Sequence, residues 1–223
     1  MNEKKLVGEK AAEFIKDGMV VGLGTGSTVY YTIIKLGQLV KEGLTIQGIP
    51  TSVRTEELAK KVGIPLVSFK EIGQIDVAID GADEVDSNLD LIKGGGGALL
   101  REKIIANAAK QFIVVATPNK MVKKLGGFQL PVEVVPFGAE LTEKHISKLG
   151  IDPIFRQFEG NPYRTDNGNY IFDCDISGIL QPKELEEKLN MIPGVVENGL
   201  FINMSDIVIS LDHEKNVVLI NKR

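Results

Sequence analysis

The sequence predicts an α/β protein, an open and mostly parallel sheet with helices on both faces and a smaller α+β module inserted before its last strands. Three observations carry that expectation. Up to about Gly127, apolar runs of strand length alternate with helical patterns, the order that builds a parallel sheet. Several of these runs end directly in glycine-rich turns, as strands do at the carboxyl edge of such a sheet. After Gly126 and Gly127 the order changes to β-α-β-β-α-β, a split βαβ arrangement.

Each element has its own signal. Leu6, Ala11, Phe14 and Ile15 share one face of an N-terminal helix, and Met19–Leu23 is an apolar run before a glycine turn, hence a strand. Val29–Val40 reads as a helix and Leu44–Ile49 as a second strand. Ser52 is placed to cap a helix running through Lys61, with Glu56 in its first turns. Pro65–Phe69 and Ile75–Ile79 read as strands, Ala98–Lys110 as a helix, and Phe112–Ala116 as a wholly apolar strand. Beyond Gly127, Leu130–Pro136 is a strand and Leu141–Lys148 a helix capped near Thr142. Ile154–Phe158 and Tyr170–Ile176 form a hairpin with its turn in Arg164–Asn169. Pro182–Asn190 is a helix and Val195–Ile202 a strand. Asp206–Leu211 and Asn216–Ile220 are strands that either rejoin the first sheet or close the second; pattern alone does not choose. The first stretch is thus Rossmann-like and the second ferredoxin-like.

Bulk properties narrow the function. The chain has 223 residues, room for one large domain or two small ones. A net charge of −4 argues against a nucleic-acid partner. The longest apolar runs, such as Ile113–Ala116, are too short to span a bilayer, and the N-terminus reads as an amphipathic helix, not a signal peptide. Cys174 is the one cysteine, so no intrachain disulfide forms and a cytoplasmic location is the default expectation.

Four pieces hold the chemistry. GLGTGST at Gly22–Thr28 fails the G-x-G-x-x-G dinucleotide pattern, because Ser27 stands where the third glycine belongs. Its hydroxyls, Thr25, Ser27 and Thr28, interleave with Gly26 at a helix entrance, which suits a phosphate monoester. The competing reading is a strand-to-helix turn with a Ser or Thr cap. DGADEVD sets Asp80, Asp83, Glu84 and Asp86 after a buried strand, with Gly81 and Ala82 letting the backbone approach a ligand. Such acids bind sugar hydroxyls, move protons, hold a divalent metal, or form a solvated turn. KGGGGALLREK begins with Lys93, runs through Gly94, Gly95, Gly96 and Gly97, and places Glu102 in the following helix among apolar neighbours. Four glycines in succession are costly to order, and a loop keeps them where side chains would block a ligand or where amides face an anion. A carboxylate in apolar surroundings has a raised pKa, which suits a general base that returns its proton; the plainer alternative is an exposed Glu between Arg101 and Lys103. Lys120 follows the next strand and reaches the same edge. His145 and His213 lie far from every motif, and Cys174 alternates with apolar positions as a core thiol. Together the inventory suits proton transfer on a small phosphorylated substrate.

In this order the four motifs closely resemble those of the type A ribose-5-phosphate isomerase family. The likeness spans the chain and implies a Rossmann-like domain of residues 1–127 plus 203–223 with a ferredoxin-like domain of residues 128–202. It implies that Thr25–Thr28 bind the substrate and its phosphate, that Asp80–Asp83 and Lys93–Gly96 contact the sugar, and that Glu102 accepts the proton; the developing oxyanion would then fall to Lys93 with the glycine-loop amides, and proton movement among the sugar oxygens and ring opening to Asp80 or Asp83. Lys120, and Lys4 or its neighbour Lys5 in the first helix, would serve the phosphate. It further implies a homodimer with no metal or cofactor, acting on a sugar phosphate in the pentose phosphate pathway. A sugar-phosphate-sensing regulator would need a basic DNA-binding segment, for which length and charge leave no room. A deaminase or lactonase on the same fold lacks a use for the Lys93 and Glu102 pair.

Overall fold

The computed structural model describes residues 2–178 and 181–222. At its centre lies a six-stranded sheet. In spatial order the strands are Val217–Asn221, Ile207–Leu211, Ala109–Val115, Ile75–Gly81, Val20–Leu23 and Gln47–Pro50. Every neighbouring pair is parallel except the outer hairpin of Ile207–Leu211 with Val217–Asn221. The central strands are buried on both faces, and their period of two sorts the side chains between two cores. Val77, Ile79, Ile113, Val115 and Ile209 enter one core, shared with helices α1 (Glu3–Ala12), α2 (Val29–Lys41) and α3 (Val53–Val62). Ala78, Phe112, Val114 and Val208 enter the other, which Ile105 and Ala106 of α4 (Leu99–Ala108) fill. No helix among the described residues is long and apolar enough to cross a membrane.

The connectivity explains where a ligand fits. From Val20–Leu23 the chain adds Gln47–Pro50 on one side, then crosses back to add Ile75–Gly81 on the other. Loops leaving adjacent strands in opposite directions open a crevice at their carboxyl ends. The segments after Leu23, Pro50, Gly81 and Val115 all emerge at that edge.

The inserted module is a four-stranded antiparallel sheet in the order Val195–Asn198, Leu130–Val134, Tyr170–Asp175, Asp152–Phe155. This is the fourth-first-third-second order of a ferredoxin-like unit. Helices α5 (Ala139–Ser147) and α6 (Pro182–Asn190) close its core with Ile146, Leu185 and Leu189. A three-stranded antiparallel sheet of Leu200–Phe201, Leu91–Ile92 and Glu84–Val85 ties the two parts. Its Ile92 and Leu200 belong to the module's core, its Leu91 and Phe201 to the main sheet's second core.

Several elements differ from the sequence reading. Pro65–Phe69 is not a strand: Leu66 makes one bridge to Gly48 beyond the edge strand, and the chain then turns away with Phe69 exposed. Helix α4 stops at Ala108, and Ala109 and Lys110 already belong to the next strand because Ala109 pairs with Ile75. Helix α5 starts behind left-handed Gly138 rather than near Thr142, whose hydroxyl bonds back to the Gly138 carbonyl within the helix. The Val195–Ile202 run breaks at Gly199, packed so tightly on the Lys93 carbonyl and Pro131 that a Cβ would not fit, and its two halves join different sheets. The undecided tail rejoins the first sheet, where Ile207–Leu211 runs parallel to Ala109–Val115.

Candidate active site

A cleft of about 470 Å³ opens at the carboxyl edge of the main sheet. Thr25, Gly26, Ser27 and Thr28 line it from the first loop, Gly81, Ala82 and Asp83 from the second, and Thr117, Asn119 and Lys120 from the loop after Val115. Lys93, Gly94, Gly96 and Glu102 close another side, and Lys4 and Arg54 reach in from α1 and α3. The glycine loop does not follow a strand of the main sheet as the sequence suggests; it leaves the short Leu91–Ile92 strand of the three-stranded sheet.

The first loop forms one end of the cleft, with its hydroxyls at the entrance of α2. Gly24 lies against Asp80 with no room for a Cβ, and Gly26 adopts φ +145°, a conformation that favours glycine. Thr28 occupies the N-cap position of α2, yet its side chain makes no cap bond, so the plain capped-turn reading does not account for it. Ser27 Oγ accepts a hydrogen bond from Lys4 Nζ at 2.9 Å. Gly8 makes this possible, since a Cβ there would meet the Thr28 carbonyl oxygen at 2.6 Å and push α1 away. Lys5 points elsewhere, toward Glu9 at 3.9 Å. Thr25 has a different role from its neighbours. Its hydroxyl donates to Ser52 Oγ at 2.7 Å and sits 2.7 and 3.0 Å from Thr51 and Thr55 Oγ1, so while Thr25 lines the cleft its hydroxyl also ties the first loop to the segment after Pro50.

The opposite end is a buried triad of charges. Lys93 Nζ lies 3.0 Å from Asp80 Oδ2 and 3.2 Å from Glu102 Oε2, and donates to the Gly81 carbonyl at 2.6 Å. Lys93, Asp80 and Glu102 are only 2%, 3% and 3% exposed, so two carboxylates share one ammonium away from water. Burial, joined by the Asp80 charge and opposed by Lys93, pushes Glu102 up to about 8. Burial also raises Asp80, against Lys93 and two backbone donors, the Thr25 N–H at 3.0 Å and the Gly81 N–H at 2.7 Å. Burial works against the Lys93 charge, but the two carboxylates outweigh it and keep the ammonium protonated. Those backbone donors favour the charged form of Asp80 and so oppose the effect of its burial. Glu102 lies in the first turn of α4, directly behind the glycine loop.

The structure divides the acidic motif. Asp83 faces the cleft, and its Oδ2 accepts the Gly95 N–H at 2.8 Å. Asp80 stands behind the cleft wall and holds three of its lining residues, Lys93 through its ammonium and Thr25 and Gly81 through their N–H groups. Glu84 accepts the Gly126 and Phe128 N–H groups at 2.7 Å each, and Asp86 accepts those of Asn88 and Asp90, so both pin loops. In the glycine loop, Gly94 (φ +100°) and Gly97 (φ +80°) need glycine for their backbone. The amides of Gly95 and Gly97 are taken by the Asp83 carboxylate and the Gly94 carbonyl, so neither is open to an anionic ligand. Gly95 itself lies outside the cleft, in a neighbouring hollow with Phe128, Arg156 and Asp173. Lys120 lines the cleft with its ammonium 5.7 Å from the centre of the Phe128 ring. Cys174 is a buried core thiol whose pKa burial raises.

Sequence reasoning missed Arg54, Thr117 and Asn119 in the cleft, and the hydroxyls of Thr51, Ser52 and Thr55 behind Thr25. A signal existed for some. Thr51 and Ser52 directly follow the Gln47–Pro50 strand, at the same edge as the other loops. Arg54 carried none beyond its closeness to them.

Comparison with known proteins shows which family the chain belongs to. The family described as ribose 5-phosphate isomerase A (phosphoriboisomerase A) matches residues 47–215. The ribose-5-phosphate isomerase A of Bacillus mycoides (strain KBAB4) is 55% identical over 205 residues, 92% of this chain and 93% of that protein. The solved ribose 5-phosphate isomerase A of Methanocaldococcus jannaschii superposes with a TM-score of 0.93 at 43% identity, over 98% of each chain. A D-ribose-5-phosphate isomerase solved in complex with phospho-erythronic acid superposes with a TM-score of 0.94 at 42% identity, over 99% of this chain and 100% of that one. Matched in sequence over most of its length and in fold over nearly all of it, the chain belongs to the ribose-5-phosphate isomerase A family.

Proposed function

We propose that this protein is an aldose–ketose isomerase that interconverts D-ribose 5-phosphate and D-ribulose 5-phosphate. The observation that carries the reading is Glu102, a buried carboxyl of raised pKa on the cleft wall, 3.2 Å from the Lys93 ammonium. Family membership supports the substrate, as does the phosphorylated sugar acid bound in one relative.

The chemistry follows from these groups. The phosphate sits at Ser27 and Thr28, where the N-terminus of α2 and the ammonium groups of Lys4 and Lys120 favour a dianion. This remote binding holds C1 and C2 against Glu102. Ionised Glu102 takes the proton from C2 and leaves a cis-enediolate, whose oxygens Lys93 stabilises in a site shielded from water. The same carboxyl then returns the proton to C1. Asp83, facing the cleft, carries the hydroxyl proton from O2 to O1 and assists ring opening. Asp80 keeps Lys93 charged and in place. Lys93 supplies the electrophile, so the reaction needs neither metal nor cofactor.

We further read residues 1–127 plus 203–223 as the catalytic domain and residues 128–202 as a second domain. The family resemblance supports a homodimer in the cytoplasm, working in the non-oxidative branch of the pentose phosphate pathway. A coupled assay of ribulose 5-phosphate formed from ribose 5-phosphate tests the function, with Glu102→Gln as its control. An inactive wild-type protein, or a variant within tenfold of wild type, would refute the assignment.

A further inference from the structure

The inserted module sends one charged side chain into the catalytic loop. Arg156 is held by Asp173 in a two-armed pair, Nε to Oδ2 at 2.8 Å and Nη2 to Oδ1 at 2.5 Å. Both side chains are mostly buried. Its remaining arm, Nη1, donates to the carbonyls of Gly94 at 3.0 Å and Gly95 at 3.3 Å. The Gly94 carbonyl and the Gly95 N–H belong to one peptide group, and that N–H donates to Asp83 Oδ2 at 2.8 Å. A single peptide is therefore strung between a guanidinium and a carboxylate. Charge at the carbonyl end polarises the peptide and strengthens donation at the other end. The planar fork matters, because Asp173 occupies two arms while the third reaches the loop. No other protein donor reaches the Asp83 carboxylate among the described residues, so the Gly95 amide sets its direction.

We propose that Arg156 is a positioning residue for the isomerisation, aiming Asp83 at the sugar oxygens through the Gly94–Gly95 peptide. This rests on the role given to Asp83 in the proposed function. It also gives the small module a part in catalysis, since Arg156 and Asp173 both come from it.

The test combines kinetics with one amide resonance. Wild type, Arg156→Met, Asp83→Asn and the double variant are assayed with ribose 5-phosphate, and the Gly95 amide proton is followed by NMR. Arg156→Met is expected to lower kcat by about 10- to 100-fold, the size of effect that misplacing a catalytic group produces, with a much smaller change in KM. The Gly95 amide proton should move upfield as its hydrogen bond weakens. In the Asp83→Asn background, the Arg156 substitution should cost little more, because both changes break one chain of contacts. Should Arg156→Met fail to fold, Arg156→Lys keeps a cation beside Asp173 without the three-armed reach and should show the same non-additivity on a smaller scale. A wild-type kcat, losses that multiply in the double variant, or an unmoved Gly95 resonance would overturn the proposal. An inactive wild-type protein would instead count against the proposed function, while the Gly95 shift would still report on the linkage.

Discussion

Glu102→Gln should disable catalysis and stabilise the fold at alkaline pH. Two buried carboxylates face the one Lys93 ammonium, so full ionisation leaves a buried negative charge without a counter-charge. Burial first, and then the Asp80 charge, hold Glu102 at about 8 against 4.5 for an ordinary Glu. Between those values the native protein binds a proton that the unfolded chain has released. The stabilisation is thus fully present below the unfolded value and is lost as pH rises through the folded one. One proton is worth about 1.4 kcal/mol per pH unit, so the whole window carries at most about 5 kcal/mol. Glutamine has the same shape and no charge to lose, so its stability should run nearly flat across this window. Urea unfolding at fixed protein concentration and ionic strength, at about pH 5, 7 and 8.5, measures the difference. The two proteins should be close at the acidic end, and the variant should lead by a few kcal/mol at the alkaline end, a midpoint shift of roughly 1–2 M urea. Parallel pH curves would show that Glu102 titrates as an ordinary acid and would remove the physical basis for its role. The same ionisation governs turnover. The base must be deprotonated, so kcat/KM should rise with pH up to the Glu102 pKa, and the Gln variant should lose at least about 10²–10⁴ in rate.

Three further outcomes follow from the cleft. Thr28→Ala should weaken ribose 5-phosphate and barely touch any residual reaction of free ribose, which should be poorer by several orders of magnitude; equal losses on both substrates would make the loop a structural turn. Lys4→Ala should raise KM for ribose 5-phosphate roughly 10-fold or more, as losing a charge-assisted bond of about 1.5–3 kcal/mol requires, whereas Lys5→Ala should not; equal effects would refute the placement of Lys4 at Ser27. Exhaustive dialysis against a chelator should leave the rate unchanged, and a loss restored by magnesium or zinc would recast Asp80 and Asp83 as metal ligands.

The sequence alone determined what depends on near neighbours. Apolar runs of period two or none marked the strands, Ser52 marked the start of α3, and the loops after Leu23 and Gly81 were legible as loops at one sheet edge, which the fold brings to one cleft, because a strand, a glycine and polar groups follow one another directly. Helix pattern alone left Glu102 between a buried carboxyl and an exposed Glu, and the family resemblance singled it out; the fold buries it to 3% exposure. Tertiary structure decided everything that rests on distant partners. DGADEVD offers four acids without distinguishing them, and only their donors do so: Lys93 for Asp80, Gly95 for Asp83, and the backbone of Gly126 and Phe128 for Glu84. Thr25 looks like its neighbours Ser27 and Thr28 until Thr51, Ser52 and Thr55 arrive from the next strand's end and engage its hydroxyl. Lys4 and Lys5 are equivalent on paper, and the close approach of α1 at Gly8 separates them. Arg156 has no motif at all, since its meaning lies in a loop 62 positions away in sequence. A local pattern encodes local backbone preference and burial, whereas the direction of a side chain is set by whichever groups the folded chain brings within hydrogen-bond reach.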